Sequence, residues 1–169
     1  RTETYEHATV GHNYRLTSLA AAIGLAQLNK LGDYTTARRS TAARLTEALA
    51  DVDGIVPPTE PEGFRHVYHQ YTVRADDREA FKSYLDEAGV DTAVYYPTPI
   101  HRQPPYADHE PTAPEAEAAA ESVVSLPVHP GLSERDIGRL TTVLRAYDRL
   151  EDPVDAGPPA AAEGEGADD

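Results

Sequence analysis

The chain has 169 residues, enough for one ordinary domain, with no Cys, no Met and a formal net charge of -14. The missing cysteines exclude disulfides, thiolate nucleophiles and Cys-based zinc sites, and the acidic excess argues against a nucleic-acid partner, which needs a basic patch. Its 29 acidic residues stand against 13 Arg and only 2 Lys, a composition resembling proteins of salt-loaded cytoplasms, where dissolved salt screens the repulsion between carboxylates.

Residues 1–16 show no period and read as the end of a structure begun upstream. With no Met at position 1 and no apolar run behind Arg1, the chain is expected to be a fragment rather than a secreted precursor. No stretch reaches the roughly 18 apolar residues that a membrane span requires.

Gly11-His12-Asn13-Tyr14-Arg15-Leu16-Thr17 is a polar loop running into a helix at Ser18, with Thr17 or Ser18 as its cap. Leu16, Leu19, Ile23 and Ala26 recur at helical spacing, which predicts one buried face. One reading of the loop is a turn feeding a core helix. The other is an anion grip, with the Asn13 amide and the planar Arg15 guanidinium as donors. The helical pattern continues to about Asp51, with a bend allowed at Lys30-Leu31-Gly32, so 17–52 is expected to be one long connecting helix.

Ile55-Val56 is a short edge strand, and Val67 to Arg74 alternates in β-forming residues and reads as a strand. Its flanking His66 and His69 fall on a strand start, where a spacing of three points them to opposite faces, so no metal site is expected there. Asp76-Asp77 opens a helix whose buried face is Phe81, Tyr84, Leu85 and Ala88, stopped by Gly89. Thr92 to Tyr96 reads as a strand. Pro97 to Tyr106, with its spaced prolines and His101, reads as a stiff loop outside regular structure. A short helix over Ala113–Val123, a buried strand from Val124 and a last helix capped by Ser133 follow. Ile137, Leu140, Val143, Leu144 and Tyr147 form the apolar face of that helix. Residues 151–169 carry acid, Pro, Gly and Ala and read as a disordered tail. The sum is an α+β body, a short sheet with helices on one face.

No strained nucleophile elbow, Gly-rich phosphate loop or helical metal motif appears. What remains is a scatter of polar candidates: Asn13, Arg15, His69, Tyr95, Tyr96 and His101.

Several stretches together resemble the DegT/DnrJ/EryC1/StrS aminotransferase family. They are Gly11-x-Asn13-x-Arg15 before an Ala-rich helix with Gln27-Leu28, and His66-x-Tyr68-His69-x-Tyr71. Leu85-Asp86-x-Ala88-Gly89-Val90-x-Thr92, Tyr96-Pro97-x-Pro99-Ile100-His101-x-Gln103-Pro104 and Ser125-Leu126-Pro127-Val128-His129-Pro130 follow in the same order. The resemblance implies the C-terminal small domain of a fold type I enzyme that uses pyridoxal 5'-phosphate (PLP). On that reading 1–16 is a remnant of the large cofactor-binding domain, 17–52 the connecting helix, 53–150 the small domain and 151–169 the tail. The implied protein is a cytoplasmic homodimer, with no nucleic-acid or membrane partner, that moves an amino group, usually from glutamate, to a nucleotide-linked keto sugar in amino-sugar and polysaccharide biosynthesis. Asn13 would reach the cofactor phosphate across the dimer interface, with Arg15 in the same region, and Tyr96 and His101 would lie near the substrate. The family's Schiff-base Lys lies upstream of the Gly-x-Asn-x-Arg segment; neither Lys30 nor Lys82 matches it. This chain is therefore expected to hold no catalytic Lys and to be inactive alone. A sister sugar dehydratase, in which His replaces that Lys, and a stand-alone dimerisation or binding module are the alternatives.

Overall fold

The computed structural model describes residues 14–109 and 112–147. Asn13, the first thirteen residues in general and the acidic tail lie outside the described residues.

Helix α1 spans Ser18–Leu28, and its N-terminus is capped as the sequence predicts: the Ala20 amide donates to the Thr17 hydroxyl at 3.2 Å. The chain does not run on as one helix. Asn29 closes α1, and α2 starts afresh over Leu31–Ala48. The predicted buried face of α1 is a second difference. None of its residues is buried; Leu19, Ile23, Leu25 and Leu28 are exposed, as is Leu16 before it. The periodicity is present, but no described element lies across this face, so the apolar stripe stays in contact with solvent. Burial begins in α2 with Thr41, Ala42, Leu45 and Ala48.

Three antiparallel strands form one sheet in the order β1-β2-β3: β1 (Ile55–Val56), β2 (Tyr71–Ala75) and β3 (Val123–Leu126). Ile55 pairs with Ala75, and Tyr71 with Leu126. The strand expected from Val67 starts only at Tyr71, because Tyr68 takes a left-handed backbone (φ 47°) that no strand accommodates. His66 and His69 therefore sit in an irregular lead-in. His66 Nδ1 accepts from the Tyr68 amide at 2.9 Å, which stabilises that turn. Thr92 to Tyr96 likewise contributes only a single bridge, Ala93 to Ser125, rather than a strand.

Alternate residues of β2, Tyr71, Val73 and Ala75, point inward, as the period of two requires. They share one core with Leu45 and Leu49 of the α2 end, Phe81 and Leu85 of α3 (Arg78–Glu87), Val124 and Leu126 of β3, and Leu140, Leu144 and Tyr147 of α5 (Glu134–Tyr147). The caps follow the sequence: Asp77 accepts from the Ala80 amide, and Ser133 and Asp136 exchange bonds in a reciprocal box. Gly89 ends α3 with φ 68°, and a side chain there would meet the Arg139 guanidinium at 3.0 Å. Helix α4 (Pro114–Ser122) stands outside this core, with Ala120 its buried residue.

Arginines tie the elements together through backbone oxygens. Arg38 donates to the Tyr68 and His69 carbonyls, Arg39 to the His66 carbonyl and the Glu60 carboxylate, Arg78 to the Ala120 carbonyl and Arg139 to the Ala88 carbonyl.

The Tyr71 hydroxyl lies 2.8 Å from the Thr46 hydroxyl, and burial pushes its pKa up to about 12. A raised folded-state value means the unfolded chain releases this proton first. The contribution is complete below the ordinary tyrosine pKa of 10.0 and is lost as the pH rises toward about 12. Denaturant melts across that window should show stability falling, with a shallower fall in Tyr71→Phe.

Candidate active-site face

The proline loop is anchored on one side by the Ala93–Ser125 bridge. It was expected to lack regular structure, yet it contains two short 3-10 stretches, Ile100–Arg102 and Pro104–His109. Proline sets the backbone dihedral that these tight turns need, and Pro99 and Gln103 flank the first of them in extended conformations. The Arg102 amide donates to the Pro99 carbonyl at 2.9 Å, and the Gln103 side chain donates to the Thr98 carbonyl at 3.4 Å, so the loop is internally bonded.

Tyr95 and Tyr96 enter this loop through a cis peptide, with their rings edge to face, 5.8 Å apart. Tyr96 is 74% exposed, so its ring is available to another molecule rather than spent on the core. With Pro99, Ile100, Ala119 and Val123 the two tyrosines line a largely apolar groove of about 490 Å³ between the loop and α4. A second, more polar groove of about 330 Å³ shares Tyr95 and is lined by Arg38, His69, Gln70 and His129.

His101 is turned toward α4. Its Nε2 donates to Glu117 Oε1 at 2.7 Å, and Arg102 donates to the same oxygen at 2.9 Å. These two donors, His101 first, hold the Glu117 carboxyl below the usual glutamate range. Glu117 was not legible as a site residue in the sequence. It is one of three acids in the Ala- and Glu-rich α4, and only its being the residue that faces the loop separates it from Glu115 and Glu121. Arg38, which lines the polar groove from α2, was missed for a similar reason: nothing local distinguishes it from Arg39.

The predicted candidates thus fall into two groups. Tyr95, Tyr96 and His101 belong to one loop, and His69 lines the groove that shares Tyr95. Arg15 stands apart, exposed ahead of α1 and without a partner among the described residues; Asn13 lies outside them.

The sequence model of the DegT/DnrJ/EryC1/StrS aminotransferase family matches residues 1–145. The chain belongs to this family. It is 40% identical over 144 residues to UDP-N-acetyl-3-dehydro-alpha-D-glucosamine 3-aminotransferase of Acidithiobacillus ferrooxidans, covering 85% of this chain and 39% of that protein. It is 42% identical over 133 residues to UDP-2-acetamido-2-deoxy-3-oxo-D-glucuronate aminotransferase of Pseudomonas aeruginosa, covering 79% and 37%. Among solved structures, DesV of Streptomyces venezuelae superposes with a TM-score of 0.77 at 34% identity, over 88% of this chain and 41% of that one. The chain thus spans about two fifths of the length of the curated relatives it matches.

Within this DegT-family chain, the two lysines stand in different settings. Lys82 is paired with Glu79 at 3.3 Å on α3, and Lys30 is exposed at the joint of α1 and α2. Neither lines the grooves beside the proline loop.

Proposed function

We propose that this chain is the C-terminal part of a PLP-dependent aminotransferase acting on nucleotide-linked keto sugars. Glutamate is the amino donor, and the product serves amino-sugar or polysaccharide biosynthesis. The observation that carries this reading is the proline loop: it presents Tyr96 in the lining of an open groove and turns His101 toward α4, on a fold shared with sugar aminotransferases. PLP would supply the electron sink for amino transfer. The work of this chain is to shape one wall of the substrate site. Tyr95 and Tyr96 offer ring faces to a sugar, and His101 offers a polar atom held in place by α4.

On this reading, residues 53–150 form the small domain of a fold type I enzyme and 17–52 connect it to the large one. The enzyme works as a homodimer in the cytoplasm. Asn13 and Arg15 serve the cofactor phosphate of the neighbouring subunit; an exposed Arg15 with no partner among the described residues is consistent with a guanidinium reserved for an external anion. On this reading the cofactor lysine is neither Lys30 nor Lys82, and the chain alone has no amino-transfer activity. Its acidic excess suits a salt-rich interior, where screening relieves self-repulsion.

The test is a chimera. The part of the A. ferrooxidans relative outside the matched 39% of its length is joined to this chain, and amination of that enzyme's own keto sugar by glutamate is assayed across potassium chloride concentrations. Activity that rises with salt is expected. A folded, dimeric chimera that binds PLP but aminates nothing would overturn the reading.

A further inference from the structure

The partners of His101 have a consequence for its chemistry. An ionised carboxylate can only accept, so the hydrogen between Glu117 and His101 belongs to Nε2. A neutral imidazole carries one hydrogen, which leaves Nδ1 as a bare lone pair. The His101 side chain is 12% exposed, and no hydrogen-bond partner is present at Nδ1 among the described residues. Nor is any buried side-chain nitrogen or oxygen left unpaired among them, so Nδ1 reaches solvent.

We propose that Glu117 is the positioning residue of this site: by holding His101 Nε2–H, it fixes the imidazole in one tautomer and presents Nδ1 as an acceptor for a hydroxyl of the bound sugar. The pairing of Glu117 with His101 stands on its own geometry; the sugar hydroxyl rests on the function proposed above. Arg102 strengthens the arrangement. Because it donates to the same oxygen as His101, that atom must remain an acceptor under two donors, which fixes the orientation of the carboxylate as well as that of the ring. Glu117 itself touches no substrate in this scheme. It acts through the ring that it orients.

The tautomer is read directly on this chain by long-range nitrogen–proton NMR of the imidazoles, with the pH raised until the ring nitrogen shifts stop changing, so that the neutral form is the one observed. The spectrum of the wild-type chain should show His101 as a single Nε2–H tautomer. Glu117→Leu should lose that pattern and give a mixture of the two tautomers. Glu117→Gln should restore it, because Arg102 keeps the amide oxygen, rather than the amide nitrogen, facing the two donors. The rescue also separates orientation from packing, since Gln fills the same space as Glu and keeps the fold if Leu does not. A hydrogen found on Nδ1 in the wild-type chain, or the same single tautomer in Glu117→Leu, would overturn the proposal. The sugar is tested separately in the chimera. There Glu117→Leu should raise KM for the keto sugar several-fold while Glu117→Gln does not. A normal tautomer pattern with no effect on KM would reject the hydroxyl contact while leaving the pairing intact.

Discussion

Phe81→Ala is expected to cost this fold about 3–5 kcal/mol, the usual range for emptying a buried aromatic site. Phe81 is fully buried, and its ring meets Tyr147 of α5 edge to face with centroids 4.9 Å apart. Phe81 and Leu85 are the buried residues of α3, so the substitution removes the larger half of what holds that helix to the core. The loss combines the transfer of the ring with a cavity that the rigid sheet behind it cannot collapse to fill. It also reaches the site. Arg78, at the start of the same helix, donates to the Ala120 carbonyl of α4, the helix that carries Glu117. Urea unfolding of the chain should therefore show the midpoint falling sharply in Phe81→Ala and less in Phe81→Leu, which refills part of the space. A cost under about 1 kcal/mol in the alanine variant would mean that α3 is not anchored through this ring.

On the function proposed above, in which the full-length enzyme is a homodimer and Asn13 meets the cofactor phosphate, two inactive variants are expected to restore each other. One lacks the cofactor lysine and the other carries Asn13→Asp. Asn brings donors without charge, so Asp places repulsion beside a phosphate dianion, whereas Asn13→Ala loses only a charge-assisted bond of about 1.5–3 kcal/mol. If Asn13 serves the neighbouring subunit, a mixed dimer collects both defects in one site and leaves the other intact. Half of the dimers being mixed, with one good site in each, the mixture should recover about a quarter of wild-type activity. If Asn13 served its own subunit, every site would keep one defect. Mixed dimers seen by native mass spectrometry without recovered activity would then remove the contact between subunits.

The parts of the fold legible in the sequence are those fixed by local chemistry. Asp77 and Ser133 mark their helix starts because a side-chain oxygen is needed there, and Gly89 marks a stop because its backbone is left-handed. The faces of α3 and α5 follow from apolar spacing alone. Other features were not legible, among them three that spacing and propensity do not encode. The stripe on α1 has helical period, but period cannot say whether anything lies against it. The delay of β2 to Tyr71 reflects the Tyr68 turn, which β-propensity does not register. The site was half visible: the prolines and His101 stood out, while Glu117 gains its meaning only from a loop that returns to meet it.

Four arginines, Arg38, Arg39, Arg78 and Arg139, grip the carbonyls of residues far from them in sequence. A carbonyl is common to all twenty residue types, so such a tether places no demand on the side chain it holds. At position 88 the tether by itself asks nothing of the side chain, whereas His66 also accepts from the Tyr68 amide, His69 lines the polar groove and Ala120 is buried. The burden of heredity falls on the donors: at Arg38 and at Arg39 a single guanidinium nitrogen, Nη1, serves two acceptor groups at once.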